Sequence, residues 1–409
     1  MTLEDLQILC EESTKNHIKQ NIERTHTDVA LDKCLGAQGR GFAALVAEQV
    51  KYLQRSRKKL PSYYDAGCIV VGRSYEQSSS EDVAAAKCFG GALEQTKSMS
   101  VLDLTCGLGV DSFAMSKRFG RVVAIERDEL FAAVAKENFS RLGADNIEVV
   151  NSSAEDFLAK CVENGDRFDF VYCDPDRRGS DGRKKVVLED CSPNLIALQS
   201  VLKQVSDMLV VKCSPLFDVD EAFKIYGEYC TAVEVVSTGD ECKEVVVYTS
   251  LKEGGSVDHA GEICANSIEK CAIWREKRAK NEKNLLFFDE KRYKFLVIPD
   301  VSLQKSRLAR VVLESVCDIW SDNGYGFSVD DPNEVLGRVY EIEAIYKYEP
   351  KRIKRVLKEG GIDRAEILKR EFPYGAEQVL KQLGLKGSGA RKIAVTAVLN
   401  ELYAVVLKG

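Results

Sequence analysis

Hydrophobic positions in the middle of the chain occur as short runs separated by longer amphipathic stretches. Residues 129–142 are amphipathic and end at Gly143, and residues 193–205 begin with Pro193 after Ser192, as helix starts often do. The alternation of strand and helix predicts a doubly wound, Rossmann-like α/β sheet, with ligands at the carboxyl ends of its strands. Seven apolar runs between Met99 and Ser250 read as its strands: VLDL, RVVAI, IEVV, FDFVYC, MLVVKC, TAVEVV and EVVVYT.

The flanking stretches follow other patterns and predict a chain of four domains. Residues 1–74 show helical periodicity, for example at Phe42, Leu45, Val46 and Leu53, and predict a helical N-terminal domain before the sheet domain at 75–252. A charged, glycine-containing linker begins at Leu251 and precedes a small α+β domain at 256–345 and a basic domain at 346–409. In these last two domains the patterns predict helices at 266–283, 305–316, 351–358, 364–370, 376–382 and 390–399, and strands within 287–300 and at 339–345.

Composition narrows the class of protein. The 409 residues include 14 cysteines and 3 histidines, without a C-x-x-C spacing, so we expect reduced thiols and no metal site. No apolar run approaches the roughly 20 residues that span a bilayer, and the acidic N-terminus lacks a signal-peptide pattern, so we expect a cytoplasmic protein without a membrane partner.

Charge is unevenly distributed along the chain. The formal net charge is −6, but residues 346–409 carry fourteen Lys and Arg against seven Asp and Glu, which leaves +7 there and −13 in the rest. A basic module on an acidic body is a candidate anion-binding element.

The stretch VLDLTCGLGVDSFAM at 101–115 carries the clearest chemical signal. Gly107 and Gly109 lack Cβ, so the backbone can turn sharply after the first strand and lie against a ligand. Glu126 ends the second strand about 20 residues further on, where an acidic side chain can accept hydrogen bonds from ribose hydroxyls. This spacing favours an adenosine-containing ligand.

Other strand ends add polar groups to the same predicted crevice. They are Asp103 and Thr105 after the first strand, Arg127 beside Glu126, Ser153 and Ala154 after the third strand, and Asp174 after the fourth. In the segment YEQSSSED, the serines can cap the following helix, or Gln77 and the helix start can face a ligand carboxylate. Both readings stay open.

At these residues the chain resembles the class I S-adenosylmethionine-dependent methyltransferases, whose first motif is an acidic residue followed by G-x-G. The resemblance implies a seven-stranded methyltransferase sheet and S-adenosylmethionine as cofactor, bound by Gln77, Asp103, Thr105, Gly107, Gly109, Glu126, Arg127, Ser153, Ala154 and Asp174. NAD is the competing ligand, but a dinucleotide fingerprint needs a third glycine where this chain has Ser112.

The wider pattern is similar to bacterial methyltransferases with a THUMP-like C-terminal domain. The shared stretches are EQSSSE, DLTCGLGVD, YCDPDRRG, VKCSP and a basic tail with ILKREFPY and LKGSGARK. This resemblance implies a ferredoxin-like domain before the THUMP-like one. It also implies an RNA substrate, tRNA or rRNA.

Asp174-Pro175-Asp176-Arg177 resembles the D-P-P-Y motif of amino-group methyltransferases, with two departures at its third and fourth positions. We expect Asp174 and Arg177 to be catalytic: Asp174 would accept a hydrogen bond, and a proton, from the acceptor atom, and Arg177 would orient an anionic part of the substrate. The basic residues Arg178, Arg183, Lys184 and Lys185 either hold phosphate or belong to a solvated loop.

A further resemblance concerns Cys213, which precedes Ser214 and Pro215 as the nucleophilic cysteine does in uracil-5 RNA methyltransferases. A packed strand-end thiol is the favoured alternative. We therefore predict a methyltransferase that modifies a base in RNA. The alternatives are a small-molecule methyltransferase and a noncatalytic S-adenosylmethionine-binding protein that docks on a ribosomal or protein partner.

Overall fold

A computed structural model describes residues 1–39, 41–88, 96–176, 191–252, 261–270, 272–277 and 285–408. The chain forms two compact units. The first contains residues 1–234 and 243–261, and the second contains residues 235–242 and 262–409. Each is described by itself.

The first unit begins with a group of helices, as predicted. They are α1 (Leu3–Cys10), α2 (Glu12–Asn21), α3 (His26–Ala30), α4 (Lys33–Gly36), α5 (Phe42–Lys59), α6 (Pro61–Asp65), α7 (Gly72–Gln77) and α8 (Glu81–Ala86). Capping side chains start several of them: Thr2 and Asp5 form a capping box at α1, and Asp32 caps α4. The longest helix, α5, buries Val46, Val50 and Leu53 along one face.

Seven strands of the sheet that begins in the first unit are the predicted ones. They are β1 (Ser100–Asp103), β2 (Arg121–Glu126), β3 (Ile147–Asn151), β4 (Phe170–Cys173), β5 (Met208–Cys213), β6 (Cys230–Thr238) and β7 (Glu241–Ser250), with residues 235–242 counted in the second unit. The connecting helices are α9 (Val110–Arg118), α10 (Glu129–Arg141), α11 (Ala154–Asn164), α12 (Gln199–Val205) and α13 (Val219–Tyr226), and short 3-10 turns lie at Thr96–Ser98 and Gly227–Tyr229.

The strand order of this sheet positions the site. Over these seven strands it runs β3-β2-β1-β4-β5-β7-β6, parallel from β3 to β5, with β7 antiparallel to β5. The chain moves outward from β1 to β3 and then returns to place β4 on the other side of β1. The carboxyl ends of β1 and β4 therefore lie side by side where the order reverses, which is the usual ligand position in such sheets.

The second unit is rich in strands. It contains β8 (Glu262–Ser267), β9 (Ala272–Lys277), β10 (Phe295–Pro299), α14 (Val301–Lys305), α15 (Ala309–Val312), β11 (Asp318–Ile319), β12 (Gly326–Ser328), β13 (Gly337–Lys347), α16 (Pro350–Glu359), β14 (Glu366–Lys369), α17 (Ala376–Leu383), β15 (Lys392–Val398) and β16 (Glu401–Leu407). Its seven-stranded sheet has the order β11-β12-β10-β13-β16-β15-β14. The long β13 pairs with β10 through residues 337–341 and with β16 through residues 342–347. The predicted boundary between residues 345 and 346 falls inside this strand, and the four-domain division stays a prediction.

Several predicted helices of this unit are wrong. Residues 364–370 and 390–399 contain strands β14 and β15, and residues 266–283 contain β9 and the end of β8. These runs are short, and short apolar runs do not separate a buried strand from a helix by periodicity. The single helix expected at 305–316 is interrupted, because Arg307 takes a left-handed conformation (φ 62°) between α14 and α15.

Candidate active site

A cleft of about 1050 Å³ lies in the first unit at the carboxyl ends of β1, β2, β4 and β5. Of the residues predicted to bind cofactor, all except Asp103 line it: Gln77, Thr105, Gly107, Gly109, Glu126, Arg127, Ser153, Ala154 and Asp174. The parallel register of the strands brings these positions together although they span 98 positions from Gln77 to Asp174 along the chain.

The two glycines of the turn serve different purposes. Gly107 (φ 56°) and Gly109 (φ 86°) both take left-handed conformations that favour glycine. A Cβ at Gly109 would lie 2.7 Å from Cε1 of the buried Phe139 ring and closer still to Cζ, whereas a Cβ at Gly107 would meet nothing within 4 Å. Gly109 thus allows the turn to pack on α10, and Gly107 leaves space at the surface of the cleft.

Glu126 holds the glycine turn in position. Its Oε2 accepts a hydrogen bond from the backbone N–H of Gly107 at 2.9 Å, and its Oε1 accepts one from the N–H of Asp128 at 2.9 Å. Each carboxylate oxygen can accept a second hydrogen bond, so the side chain keeps acceptor capacity toward the cleft.

Asp103 lies beneath the turn and does not line the cleft. Its carboxylate accepts hydrogen bonds from the N–H of Thr105 at 2.9 Å and from the hydroxyl of Ser112 at 2.5 Å. Burial raises the pKa of Asp103 to about 7. Asp103 thus supports the turn from inside, and its contact with the cofactor stays a prediction.

The remaining predicted cofactor residues line the rim of the cleft. The Ser153 hydroxyl caps α11, accepting from the N–H of Asp156 at 3.0 Å, and Ala154 is the first residue of that helix. The exposed Arg127 donates to the hydroxyl of Ser192 at 3.3 Å, and Gln77 is exposed in the last turn of α7. The serine segment after Gln77 does not cap α8 through Ser80, which makes no side-chain capping bond.

Asp174 follows β4 and connects the glycine turn to the floor of the cleft. Its backbone N–H donates to the Thr105 hydroxyl at 2.7 Å, and its Oδ2 accepts from Lys212 Nζ at 2.6 Å. Burial raises the pKa of Asp174, and the charge of Lys212 opposes that rise. Among the described residues, Oδ1 of Asp174 has no hydrogen-bond partner.

Lys212 belongs to a buried charge cluster, defined here as Lys87, Lys212, Asp111, Asp174 and Glu244. Lys87 is fully buried and pairs with Asp111 and, at 2.9 Å, with Glu244, while Lys212 lies 3.5 Å from both of these carboxylates. Ser79 completes the contacts, accepting from Lys212 at 2.9 Å and donating to Glu244 at 2.5 Å.

Ionisation of the cluster follows from these contacts. Burial opposes the charged form of Lys212, but Asp174, Glu244 and Asp111 outweigh it and raise the pKa of Lys212 well above its usual value. Asp111 likewise has a lowered pKa, because the two lysines outweigh its burial. These contacts thus favour the charged forms of Lys212 and Asp111 at the floor of the cleft.

Sequence reasoning identified Asp174 but missed the other members of the cluster. Lys212 directly precedes the candidate Cys213, which is 3% exposed and lines the cleft. A detectable signal was present, since Lys212 is a lone charged residue in the buried run of β5. Phe131, in the first turn of α10, also lines the cleft and was not predicted.

Some predicted residues lie outside the described part of the chain. They are the catalytic candidate Arg177 and the basic residues Arg178, Arg183, Lys184 and Lys185, together with most of the linker that begins at Leu251. Asp176, the last described residue before this gap in the chain, lines the cleft. Among the described residues, no helix is both long enough and apolar enough to cross a bilayer.

Two known domain families match separate parts of the chain. A methyltransferase domain family matches residues 95–260, and a THUMP domain-like family matches residues 337–408. An uncharacterized S-adenosylmethionine-dependent methyltransferase of Mycobacterium tuberculosis is 23% identical over 306 residues, covering 73% of this chain and 77% of the relative.

Two further relatives extend the comparison. A 23S rRNA (uracil(1939)-C(5))-methyltransferase of Photobacterium angustum is 32% identical over 109 residues, which are 24% of this chain and 50% of that protein. The crystal structure of a Porphyromonas gingivalis protein assigned as a methyltransferase superposes with a TM-score of 0.79 over 97% of both chains at 21% identity, and so shares the fold. With the glycine turn, the acidic strand ends and both family matches in place, the chain is an S-adenosylmethionine-dependent methyltransferase with a THUMP-like C-terminal domain.

Proposed function

We propose that this enzyme methylates a base in RNA, with Asp174 as the residue that engages the acceptor. When bound, the cofactor would supply a methyl carbon on a sulfonium; an in-line nucleophile would form a bond to that carbon while the sulfur leaves as a neutral thioether. The open space beside Gly107 and the spare acceptor capacity of Glu126 fit the amino-acid part and the ribose hydroxyls of S-adenosylmethionine. Thr105, Gly109, Arg127, Ser153, Ala154 and Gln77 are proposed as the remaining wall of that site.

One observation carries the role of Asp174. Lys212 donates to Oδ2 at 2.6 Å, so a buried cation holds the carboxylate. The other oxygen, Oδ1, is then available to the substrate group that accepts the methyl. An N–H of a base can donate to Oδ1, which orients the nitrogen lone pair and receives the proton released on methyl transfer. Positioning of this kind can lower a barrier by several kcal/mol, of the roughly 7–11 kcal/mol that ideal orientation can supply.

RNA is the substrate class best supported by the second unit and by the relatives. The THUMP domain-like match covers residues 337–408, and residues 346–409 carry a net charge of +7. The Photobacterium relative is named as an rRNA methyltransferase. Positive charge on one module supplies the salt-dependent, sequence-independent part of RNA affinity.

Methyl transfer from tritiated S-adenosylmethionine to total RNA tests the proposal. Asp174→Ala should bind the cofactor with nearly unchanged affinity by calorimetry and lose at least about 100-fold in turnover, as removal of a positioned proton acceptor does. Asp176→Ala, a neighbouring carboxylate in the same cleft, is the matched control and should retain more turnover. Full turnover in Asp174→Ala would remove Asp174 from the mechanism, and wild-type transfer to a small molecule but to no RNA would replace RNA as the substrate.

A uracil-5 mechanism is the second candidate, because Cys213 lines the cleft at the end of β5. In that chemistry a thiolate adds to the pyrimidine ring and is later eliminated. The nearby Lys212 points its ammonium group at Asp174, so it is committed to a carboxylate at 2.6 Å. Loss of turnover in Cys213→Ala, with a covalent adduct on 5-fluorouridine RNA in the wild type, would favour this candidate.

A further inference from the structure

Helix α16 of the second unit carries a concentration of positive charge. Its ten residues include five cations, Lys351, Arg352, Lys354, Arg355 and Lys358, all of them exposed. Ile353 and Leu357 of the same helix are buried in the domain core, which turns the basic positions toward solvent.

These cations differ from four other cations of the same domain, which lie on or beside its strands. Lys347, Arg391, Lys392 and Lys408 pair with glutamates of neighbouring strands, namely Glu401, Glu343, Glu366 and Glu341. Among the residues that the structure describes, none of the five cations of α16 forms an ion pair. The positive charge of these four cations is thus neutralised locally, and that of α16 is not.

The arrangement opposes the stability of the isolated helix. Lys351 and Arg355 are four residues apart, as are Lys354 and Lys358, and like charges at this spacing destabilise a helix by about 0.2–0.5 kcal/mol per pair. Lys351 and Arg352 also lie in the first turn, where the helix dipole disfavours cations. A polyanion that contacts this face would remove both costs.

The surface continues past the end of the helix into an open depression of about 710 Å³. Gly360 and Gly361, which follow α16 directly, form one side with Arg364, and Ser388, Gly389 and Arg391 form the other. A Cβ at Gly389 would lie 2.5 Å from the carbonyl oxygen of Arg364, so the two walls approach each other through bare backbone. Arg364 is exposed, and Asp363 is the acidic residue of the lining.

We infer that the outward face of α16, together with this depression, binds the phosphodiester backbone of the RNA substrate. The inference rests on the proposed function and adds the surface that holds the RNA. Lysine and arginine contact phosphates without reading sequence, so this face positions the RNA while the cleft selects the base. A lipid surface is a poorer match, since membrane-bound helices insert apolar side chains and those of α16 pack inward.

Two triple variants of the full chain test this surface. Lys351→Gln/Arg355→Gln/Lys358→Gln removes three unpaired cations from α16. Lys347→Gln/Lys392→Gln/Lys408→Gln removes the same charge from cations paired on the sheet. Binding of fluorescently labelled unfractionated tRNA is measured by anisotropy from about 50 to 200 mM KCl, where phosphate contacts dominate the salt dependence.

The α16 variant should raise Kd at least about 10-fold and reduce the slope of log K against log salt by about 2–3, because each lost phosphate contact removes about 0.7–0.9. The sheet variant should change Kd less than about 3-fold, and both should keep wild-type affinity for S-adenosylmethionine. Glutamine is as good a helix former as lysine, so the α16 variant should unfold at the wild-type temperature or above.

The outcomes separate this inference from the proposed function. If wild type binds and methylates tRNA, but the two variants lose affinity for tRNA equally or the α16 variant loses none, the α16 surface is refuted. The proposed RNA methyltransferase function would be unaffected by that result. Failure of the wild type to bind or methylate any RNA would overturn the proposed function itself. Tighter binding of the wild type to phosphatidylglycerol vesicles than to tRNA would assign α16 to a membrane and refute the inference.

Discussion

Replacement of each glycine in the cofactor turn by alanine should separate ligand binding from folding. In Gly107→Ala the new methyl group points into space with no atom within 4 Å, so the cost to folding is the left-handed backbone alone, about 1 kcal/mol. The methyl occupies the volume proposed for the cofactor, and we expect the Kd for S-adenosylmethionine to rise at least about 10-fold, or 1.4 kcal/mol.

Gly109→Ala carries the same backbone cost and also overlaps the Phe139 ring, which is 3% exposed and packed in the core. Overpacking typically costs 1–3 kcal/mol, so the total is about 2–4 kcal/mol. For a unit of about 250 residues that corresponds to a fall in Tm of roughly 5–15 °C.

Calorimetry with S-adenosylmethionine and thermal unfolding, with and without the cofactor, distinguish the two effects. Gly107→Ala should show a near-native Tm and lose most of its stabilisation by ligand, since that stabilisation follows the ratio of ligand concentration to Kd. Gly109→Ala should show a low Tm in both conditions. Wild-type cofactor affinity in Gly107→Ala would refute the assignment of that space to the ligand.

Three further substitutions test the electrostatics and chemistry of the cleft. Lys212→Met removes the cation that opposes the burial-raised pKa of Asp174, so the acid limb of a turnover-pH profile should move to higher pH; an unmoved limb with active enzyme would contradict this. Asp103 has a folded-state pKa of about 7 through burial, so its contribution to stability is complete below about pH 4 and is lost as pH rises through 7. In denaturant titrations, Asp103 should make the free energy of unfolding fall by about 1.4 kcal/mol per pH unit between about pH 4 and 7. This fall should be weaker in Asp103→Asn, and an equal dependence on pH in both proteins would contradict the prediction. Cys213→Ala should retain turnover on RNA, measured by methyl transfer, because the thiol is packed at the end of a buried strand.

The central sheet was predictable because its signals are local. Strands β1 to β4 are short apolar runs with a polar residue at or directly after the carboxyl end, and parallel pairing brings those ends to one edge. The turn at Gly107 and Gly109 was predictable because glycine often marks positions where the backbone takes a left-handed conformation. Domain boundaries and the roles of the site residues stay predictions.

The partners of Lys212 were not predictable, because they depend on which distant segments meet. Ser79, Asp111 and Glu244 reach the cluster from a loop, a helix and a strand, and no spacing in the chain relates them. In the second unit, β14 and β15 were mistaken for helices because their short apolar runs fit both the helical and the strand periodicity. They form strands because β15 pairs with β16 and β14 pairs with β15.

The buried charge cluster has a consequence for how the first unit folds. Its five charged members come from positions between 87 and 244, and none can leave water at low cost before its partners arrive. We therefore expect their burial to follow the pairing of β4, β5 and β7 in register. On this hypothesis the floor of the candidate cleft closes only after the sheet around it has formed.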